Sequence, residues 1–405
     1  MISDKKEIEQ NLSKEEILEK LFREWQPVAE TEIVTLEESY GRVLAEDQTA
    51  QYDLPVVRAS SMDGVAVKSE YFRDGIPDTS SWRLGREFVR ADTGDDFDDA
   101  YDCIIRIEDV EISEDGRLTL NLTSGEQIEP GANVRPAGSM LRRGALLAKA
   151  GRVITAPDLA SLAAGGITSV PVVRKPTVGF IPTGSELIPA GDAPGRGQNV
   201  DCNSILAKHM ILEMGGEPVC YPIVKDKKAE LASAVDRALS ECDIVLINGG
   251  SSKGEEDFNT RILGERGKMI SHWVKAAPGR PMGVAVADNK PLINLSGPTI
   301  AAFHGLEWCL RPVIARFLGT PVYSRRTIQA VLTEDIHAPG VIEFLCMLHA
   351  SRPADGGVEA RPTDTRNSGN PPLSANAMLI TRLGRQLYQA DETVEIQLLR
   401  PLEEI

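Results

Sequence analysis

The segment from Asp243 to Phe258, DIVLINGGSSKGEEDF, constrains the fold more than any other part of the chain. Ile244 to Ile247 make an apolar run, the pattern of a strand buried on both faces of a parallel sheet. Glycines follow at once, and then an acidic segment that starts a helix. A strand that opens into glycines before a helix exposes successive backbone N–H groups, and such a turn cradles anions, phosphates above all. Lys253 adds a positive charge to the turn and Asp257 a carboxylate. The turn fits neither the Walker A pattern nor G-x-G-x-x-G, which disfavours an ordinary kinase, GTPase or dehydrogenase. Taken alone, it also reads as a plain strand-to-helix loop.

Strand and helix signals alternate on either side of it. Thr177 to Ile181 reads as a strand, with a helix after it capped by Asn203 and Ser204 and stopped by Gly215-Gly216. Pro218 to Val224 reads as a strand, Lys227 to Ser240 as a helix and Ile244 to Ile247 as a strand. Glu256 to Gly267 reads as a helix, followed by a hairpin-like stretch to Leu295 and a closing helix from Ala301 to Phe317. Such alternation predicts a three-layer α/β domain over 176–320 with a mostly parallel sheet. Ligands in these sheets sit at the carboxyl ends of strands. Thr183-Gly184-Ser185-Glu186 and the turn from Gly249 to Gly254 both fall at such ends, so one cleft can contain both.

A chain of 405 residues exceeds one ordinary domain, and about two to four are expected. Ser13 reads as the N-cap of a helix over 14–26. Residues 33–48 read as a second helix or turn, and 49–135 as a small β-rich module broken by Gly, Pro and Asp. Residues 136–172 return to helix around Pro157 to Ala164, with Gly165-Gly166 as its stop. After Pro321 the chain is β-rich to its end. The division is therefore 1–48 with 136–175 as a helical linker domain, 49–135, 176–320 and 321–405.

A formal charge of −16 argues against nucleic acid as partner. No apolar run approaches the roughly 18 residues of a membrane helix, so no membrane is expected. The charged N-terminus lacks a secretory pattern, and the six cysteines form no C-x-x-C pair. A reducing cytoplasm is the simplest compartment. His209 and His272 read as structural. Trp273 suits either a core position or a stacking surface for a flat ring.

Several short motifs occur in a telling order. Ser60-Ser-Met-Asp-Gly-Val-Ala-Val67 is similar to S-A-M-D-G-Y-A-V, and Arg90-Ala-Asp-Thr-Gly94 to R-I-M-T-G. Asn133-Val-Arg-Pro-Ala-Gly138 is similar to N-I-R-R-R-G, and Pro182-Thr-Gly-Ser-Glu-Leu187 to S-T-G-D-E-L. Asp201-Cys-Asn-Ser204, the Gly249 turn and Pro278-Gly-Arg-Pro281 complete the set. From about residue 14 to 400 the chain resembles the molybdopterin molybdenumtransferase family, the MoeA and gephyrin E-domain proteins. That resemblance implies an elongated, four-domain chain with an α/β molybdopterin-binding domain, a β-rich module, a helical linker domain and a C-terminal β-barrel-like domain. It implies a homodimer whose cleft lies between the α/β domain of one subunit and the β module of the other. The implied reaction inserts molybdate or tungstate into adenylylated molybdopterin and releases AMP.

By the same resemblance, Asp63, Glu186, Asp226 and Asp257 are the catalytic carboxylates. Glu186 and Asp257 would hold Mg²⁺, a hard cation that prefers oxygen. Substrate binding falls to Thr93, Arg135, Thr183, Gly184, Gly249, Gly250, Ser252, Lys253, Gly254, Lys275, Arg280 and Ser368. Plainer roles exist for some of these. Asp63 and Thr93 suit turns, Asp226 suits an N-cap for the helix at Lys227, and Asp257 suits a first helical turn. The chain departs from the family pattern at Met140 and Ser185, where the family has Asp, and at Trp273 and Ala277, where it has Lys. Ser296 replaces a proline, and Val341 stands near a family arginine. Fewer cations mean fewer charge-assisted contacts to an anion, each worth roughly 1.5–3 kcal/mol. A diverged paralogue that holds molybdopterin or its nucleotide without turnover is the second reading.

Overall fold

The computed structural model describes residues 11–28, 30–123, 127–249, 258–353, 356–363 and 375–405. The chain divides into two compact units, Met1–Glu30 with Val173–Ile405, and Thr31–Val172.

The larger unit starts with helix α1 (Lys14–Glu24). Ser13 caps it as expected, in a reciprocal box. The Ser13 N–H donates to Glu16 Oε2 at 2.7 Å and the Glu16 N–H to Ser13 Oγ at 3.2 Å. The α/β elements follow as β1 (Thr177–Pro182), α2 (Asn203–Glu213), β2 (Glu217–Cys220), α3 (Lys228–Glu241), β3 (Ile244–Asn248), α4 (Phe258–Arg266), β4 (Lys268–Trp273), β5 (Pro281–Ala287), β6 (Lys290–Leu295), α5 (Thr299–Gly305) and α6 (Arg311–Leu318). Sheet order is β2-β1-β3-β6-β5-β4. The first four strands are parallel, and β5 and β4 add on antiparallel as the hairpin-like stretch suggested.

Alternate strand residues face opposite layers. Ile181, Val245, Ile247 and Leu292 pack against Leu231 and Val235 of α3 and Ile262 and Leu263 of α4. The other face meets α2 and α5, where Gly305 lies so close to Leu295 that a Cβ would sit 2.7 Å from its Cδ2. The layers match the expectation for 176–320. The closing helix does not run as one rod. A π-helical turn, Leu306–Leu310, separates α5 from α6. Pro312 has no N–H to give to the helical ladder, which interrupts α-type bonding there.

Five further strands close a barrel: β7 (Thr327–Leu332), β8 (Glu343–Ser351), β9 (Glu359–Pro362), β10 (Ala377–Ile380) and β11 (Thr393–Leu398). Around the ring β8 pairs β9, β9 pairs β7, β7 pairs β11, β11 pairs β10, and β10 returns to β8. Closure removes the free edges that make open sheets prone to aggregate. The short strand Ala276–Ala277 pairs in parallel with β8 and ties the α/β domain to the barrel.

In the smaller unit, strand Gly64–Val67 lies between Val89–Ala91 and Cys103–Arg106. Its core collects Val65, Val67, Phe88, Cys103 and Ile105. Two sequence expectations fail in this unit. Residues 33–48 hold a strand, Thr31–Thr35, and one 3-10 turn, Glu37–Ser39, because the β-branched run Thr31-Glu-Ile-Val-Thr35 favours extended backbone. Within 136–172 only Ala156–Ala164 is α-helical, and Leu146–Ala148 and Ser169–Val173 are strands. The Thr155–Asp158 capping box and Gly165 bound that helix tightly.

Candidate active site

Parallel strands β1, β3 and β6 end together, and the turns beyond them form one edge. Thr183 closes the first crossing. Its N–H donates to Asn248 O at 2.8 Å, and Gly184 N–H donates to Val224 O at 3.0 Å. Gly249 follows β3 with φ 138°, and a Cβ there would lie 2.3 Å from Thr183 Oγ1. Only glycine allows these two turns to touch. Gly184 has φ 155°, and a Cβ on it would meet Glu186 Oε2 at 2.7 Å. The Glu186 carboxylate therefore folds back over bare backbone and stays exposed.

Asp226 does not cap the helix after it. The N-cap of α3 is Lys227, with no side-chain capping bond. Asp226 Oδ2 instead accepts the Ser185 N–H at 2.8 Å, and the Asp226 N–H donates to Ser185 Oγ at 3.1 Å. Ser185 is thus the partner that ties Asp226 to the turn carrying Glu186. The α2 start also differs from expectation. Its N-cap is Cys202, and Asn203 and Ser204 are its first helical residues. The Asp201 carboxylate accepts the Ser204 N–H at 3.0 Å and its hydroxyl at 2.5 Å.

Beneath the edge runs a buried amide network that sequence reasoning missed. Asn203 Nδ2 donates to Asn248 Oδ1 at 2.8 Å and to Gly297 O at 2.7 Å. Asn248 Nδ2 donates to Ser296 O at 2.8 Å. Asn259 Nδ2 donates to Gly249 O at 2.7 Å and to Asn294 Oδ1 at 2.9 Å. Buried amides must find partners, and here the partners are the turns that shape the edge. A polar residue inside the apolar runs ending at Asn248 and Asn294 was the available signal.

The antiparallel strands bring Trp273 and Arg280 to the same edge, since Trp273 pairs with Pro281 across β4 and β5. The Arg280 guanidinium lies over the Trp273 ring, 4.9 Å from its centroid. That ring is half-buried, so it belongs neither wholly to the core nor to an open stacking surface. Lys275 sits between the two. Its N–H donates to Leu12 O at 2.8 Å and its carbonyl accepts the Glu343 N–H at 3.1 Å. His272 Nε2 contacts Thr260 Oγ1 at 2.8 Å, in keeping with a structural role.

The smaller unit presents a second set. The Thr93 N–H and hydroxyl both donate to Asp63 Oδ1 at 2.7 Å. The backbone bond, and after it the hydroxyl, hold the Asp63 carboxyl below its ordinary range. Gly64 is obligatory beside it, because a Cβ would meet Ile105 O at 2.0 Å. Arg135, half-buried, directs Nη1 to Met140 Sδ at 3.2 Å. Among the described residues no carboxylate pairs with it. Gly250, Ser252, Lys253, Gly254, Asp257 and Ser368 lie outside the described residues.

Comparison with known proteins meets this geometry. The model for the MoeA N-terminal region (domain I and II) matches residues 12–166, and that for a probable molybdopterin binding domain matches residues 179–316. The molybdopterin molybdenumtransferase of Bacillus subtilis is 31% identical over 400 residues, covering 93% of this chain and 91% of that protein. This chain belongs to the molybdopterin molybdenumtransferase family. The Haemophilus influenzae member is 28% identical, over 91% of this chain and 94% of that one. Among solved structures, a molybdopterin biosynthesis MoeA protein from Pyrococcus horikoshii superposes with a TM-score of 0.80 at 25% identity, covering 97% of this chain and all of that one. The family places the Gly249 edge in its probable molybdopterin-binding domain and the Asp63–Thr93 pair in its N-terminal region.

Proposed function

We propose that this chain inserts molybdate or tungstate into adenylylated molybdopterin and releases AMP. As a family member it is a transferase of molybdenum cofactor biosynthesis, and the reading as a non-catalytic binding paralogue is not favoured. One observation carries the reaction: at the carboxyl edge of the sheet, Glu186 and Asp226 stand beside two turns, at Gly184 and Gly249, that admit no side chain. The Gly184 and Gly249 N–H groups are engaged by Val224 O and Leu295 O, so what the glycines offer a pyrophosphate is room for close approach, and the carboxylates suit the cation that accompanies it.

Among the described residues no three His, Cys, Asp or Glu side chains cluster to hold a metal. The donor set still fits Mg²⁺, which keeps several waters and takes one or two carboxylates plus substrate phosphates. Glu186 would hold it, with Asp257, which lies outside the described residues, proposed as the second carboxylate, and the ion would neutralise charge on the phosphates. The chain's own part is to seat the phosphates against Gly184 and Gly249 and to anchor the edge through its buried amides. Asp63 and Thr93 are proposed to contribute from the smaller unit of a homodimer.

The fourfold domain division 1–48 with 136–175, 49–135, 176–320 and 321–405 is part of the same proposal. So is a cytoplasmic location, in keeping with six free cysteines. Among the described residues no helix is long and apolar enough to cross a membrane. The test mixes purified protein with adenylylated molybdopterin, Mg²⁺ and molybdate and follows AMP. Molybdate-dependent AMP release is expected, and its absence would refute the reaction.

A further inference from the structure

The loop Pro278-Gly279-Arg280-Pro281 is held at several points. His304 Nδ1 donates to Pro278 O at 2.8 Å, and Ser296 Oγ donates to Pro281 O at 2.6 Å. Gly279, with φ 93°, packs so close to α5 that a Cβ would lie 3.2 Å from Ala301 O. Val274 N–H donates to Arg280 O at 3.0 Å, which sets Arg280 opposite the end of β4. His304 is buried, and burial pushes its pKa down to about 4, so at neutral pH it is a fixed neutral donor.

The Arg280 side chain is held differently. Its guanidinium rests on the Trp273 ring, yet no hydrogen-bond acceptor meets it among the described residues. Nε is buried and unpaired. A buried, unpaired donor on a charged fork is costly to keep unless a ligand completes it. The ring supplies attraction to the face of the cation and leaves its hydrogen-bonding edge open. That edge matches a tetrahedral oxyanion, whose paired oxygens accept from a guanidinium fork.

We propose that Trp273 is a positioning residue that holds Arg280 to bind a tetrahedral oxyanion at this edge, with His304 and Ser296 fixing the loop that carries it. The ligand oxygens belong either to free molybdate or to a phosphoryl group of the nucleotide. The inference rests on the reaction proposed above for its substrates, but its geometry is independent of turnover.

The test compares the unmodified protein with Trp273→Leu, Trp273→Phe and Arg280→Gln. AMP release is measured with molybdate varied at saturating nucleotide, and then the reverse. Trp273→Leu should raise one of the two KM values about tenfold with kcat nearly unchanged, and Trp273→Phe, which keeps a ring face, should recover most of the loss. A rise for molybdate identifies the free oxyanion, and a rise for the nucleotide identifies its phosphate. Equilibrium dialysis of labelled molybdate and of AMP against the same proteins gives a readout without turnover. There Trp273→Leu and Arg280→Gln should weaken the same ligand. If the unmodified protein released no AMP, the reaction would fail while dialysis still decided the positioning role. Unchanged KM and Kd values in Trp273→Leu, or Trp273→Phe as defective as Trp273→Leu, would overturn the inference. If Trp273→Leu did not fold, Arg280→Gln with unchanged affinity for both ligands would overturn it equally.

Discussion

Ser185 and Asp226 hold each other through two reciprocal hydrogen bonds, from the Ser185 N–H to Asp226 Oδ2 at 2.8 Å and from the Asp226 N–H to Ser185 Oγ at 3.1 Å. The pair joins the turn after β1 to the segment leading into α3. It also ties the exposed Asp226 to the turn that carries the exposed Glu186. Ser185→Asp would place a further carboxylate there. Repulsion in the free protein and attraction for a divalent ion both increase, so apparent Mg²⁺ affinity in the AMP-release assay should rise about five- to tenfold. An unchanged Mg²⁺ dependence would mean that this edge does not face the cation.

Gly249 is the tightest point of the edge. Gly249→Ala combines φ 138° with a Cβ 2.3 Å from Thr183 Oγ1 and 2.4 Å from Thr183 O. The strain should cost roughly 2–4 kcal/mol or force the turns apart. Denaturant unfolding measures the first outcome. Loss of AMP release at near-normal stability would report the second.

Asp63 should titrate below an ordinary aspartate. Thr93→Val keeps the shape and removes the hydroxyl donor, so the Asp63 titration should move upward but stay below its ordinary value, since the backbone bond remains. Carboxyl-carbon NMR of the two proteins reads this directly. A titration that did not move would show that the Thr93 hydroxyl leaves the Asp63 carboxylate untouched.

Asp243 clamps the start of β3 to the start of β1. It accepts Arg174 Nη1 and Nη2 at 2.8 and 2.9 Å and the Thr177 N–H and hydroxyl at 2.7 and 2.8 Å. Burial alone would raise its pKa, but the Arg174 and Thr177 bonds outweigh burial and lower it. A lowered folded pKa contributes stability that is present above the ordinary value of 3.8 and lost as pH falls through the folded value. Asp243→Ala should cost roughly 2–3 kcal/mol near neutral pH, allowing for partial exposure. The difference from the unmodified protein should shrink in acid below 3.8, as followed by urea unfolding across pH. A pH-independent difference would assign the loss to packing instead.

The chain's local patterns already contain much of this protein. The run Ile244 to Ile247 followed by glycine dictates a buried strand opening into a turn, because no other element buries such a run in so few residues. Ser13 with Glu16 dictates a helix start. The ordered motifs from Ser60 to Pro281 point to the family whose N-terminal and molybdopterin-binding regions the chain matches. Asp63 and Thr93, thirty positions apart in sequence, become partners because their strands pair in register. What local pattern could not convey was decided by contacts across distant segments. Asp226 looks like a helix cap in sequence, yet its carboxylate goes to Ser185 because β1 and β2 lie side by side. Trp273 ends one strand and Arg280 immediately precedes its antiparallel partner, and only that pairing sets ring under guanidinium. Asn203, Asn248, Asn259 and Asn294 are unremarkable as letters. Burial removes water as their partner, and only the packed sheet supplies the backbone carbonyls and neighbouring amides that replace it.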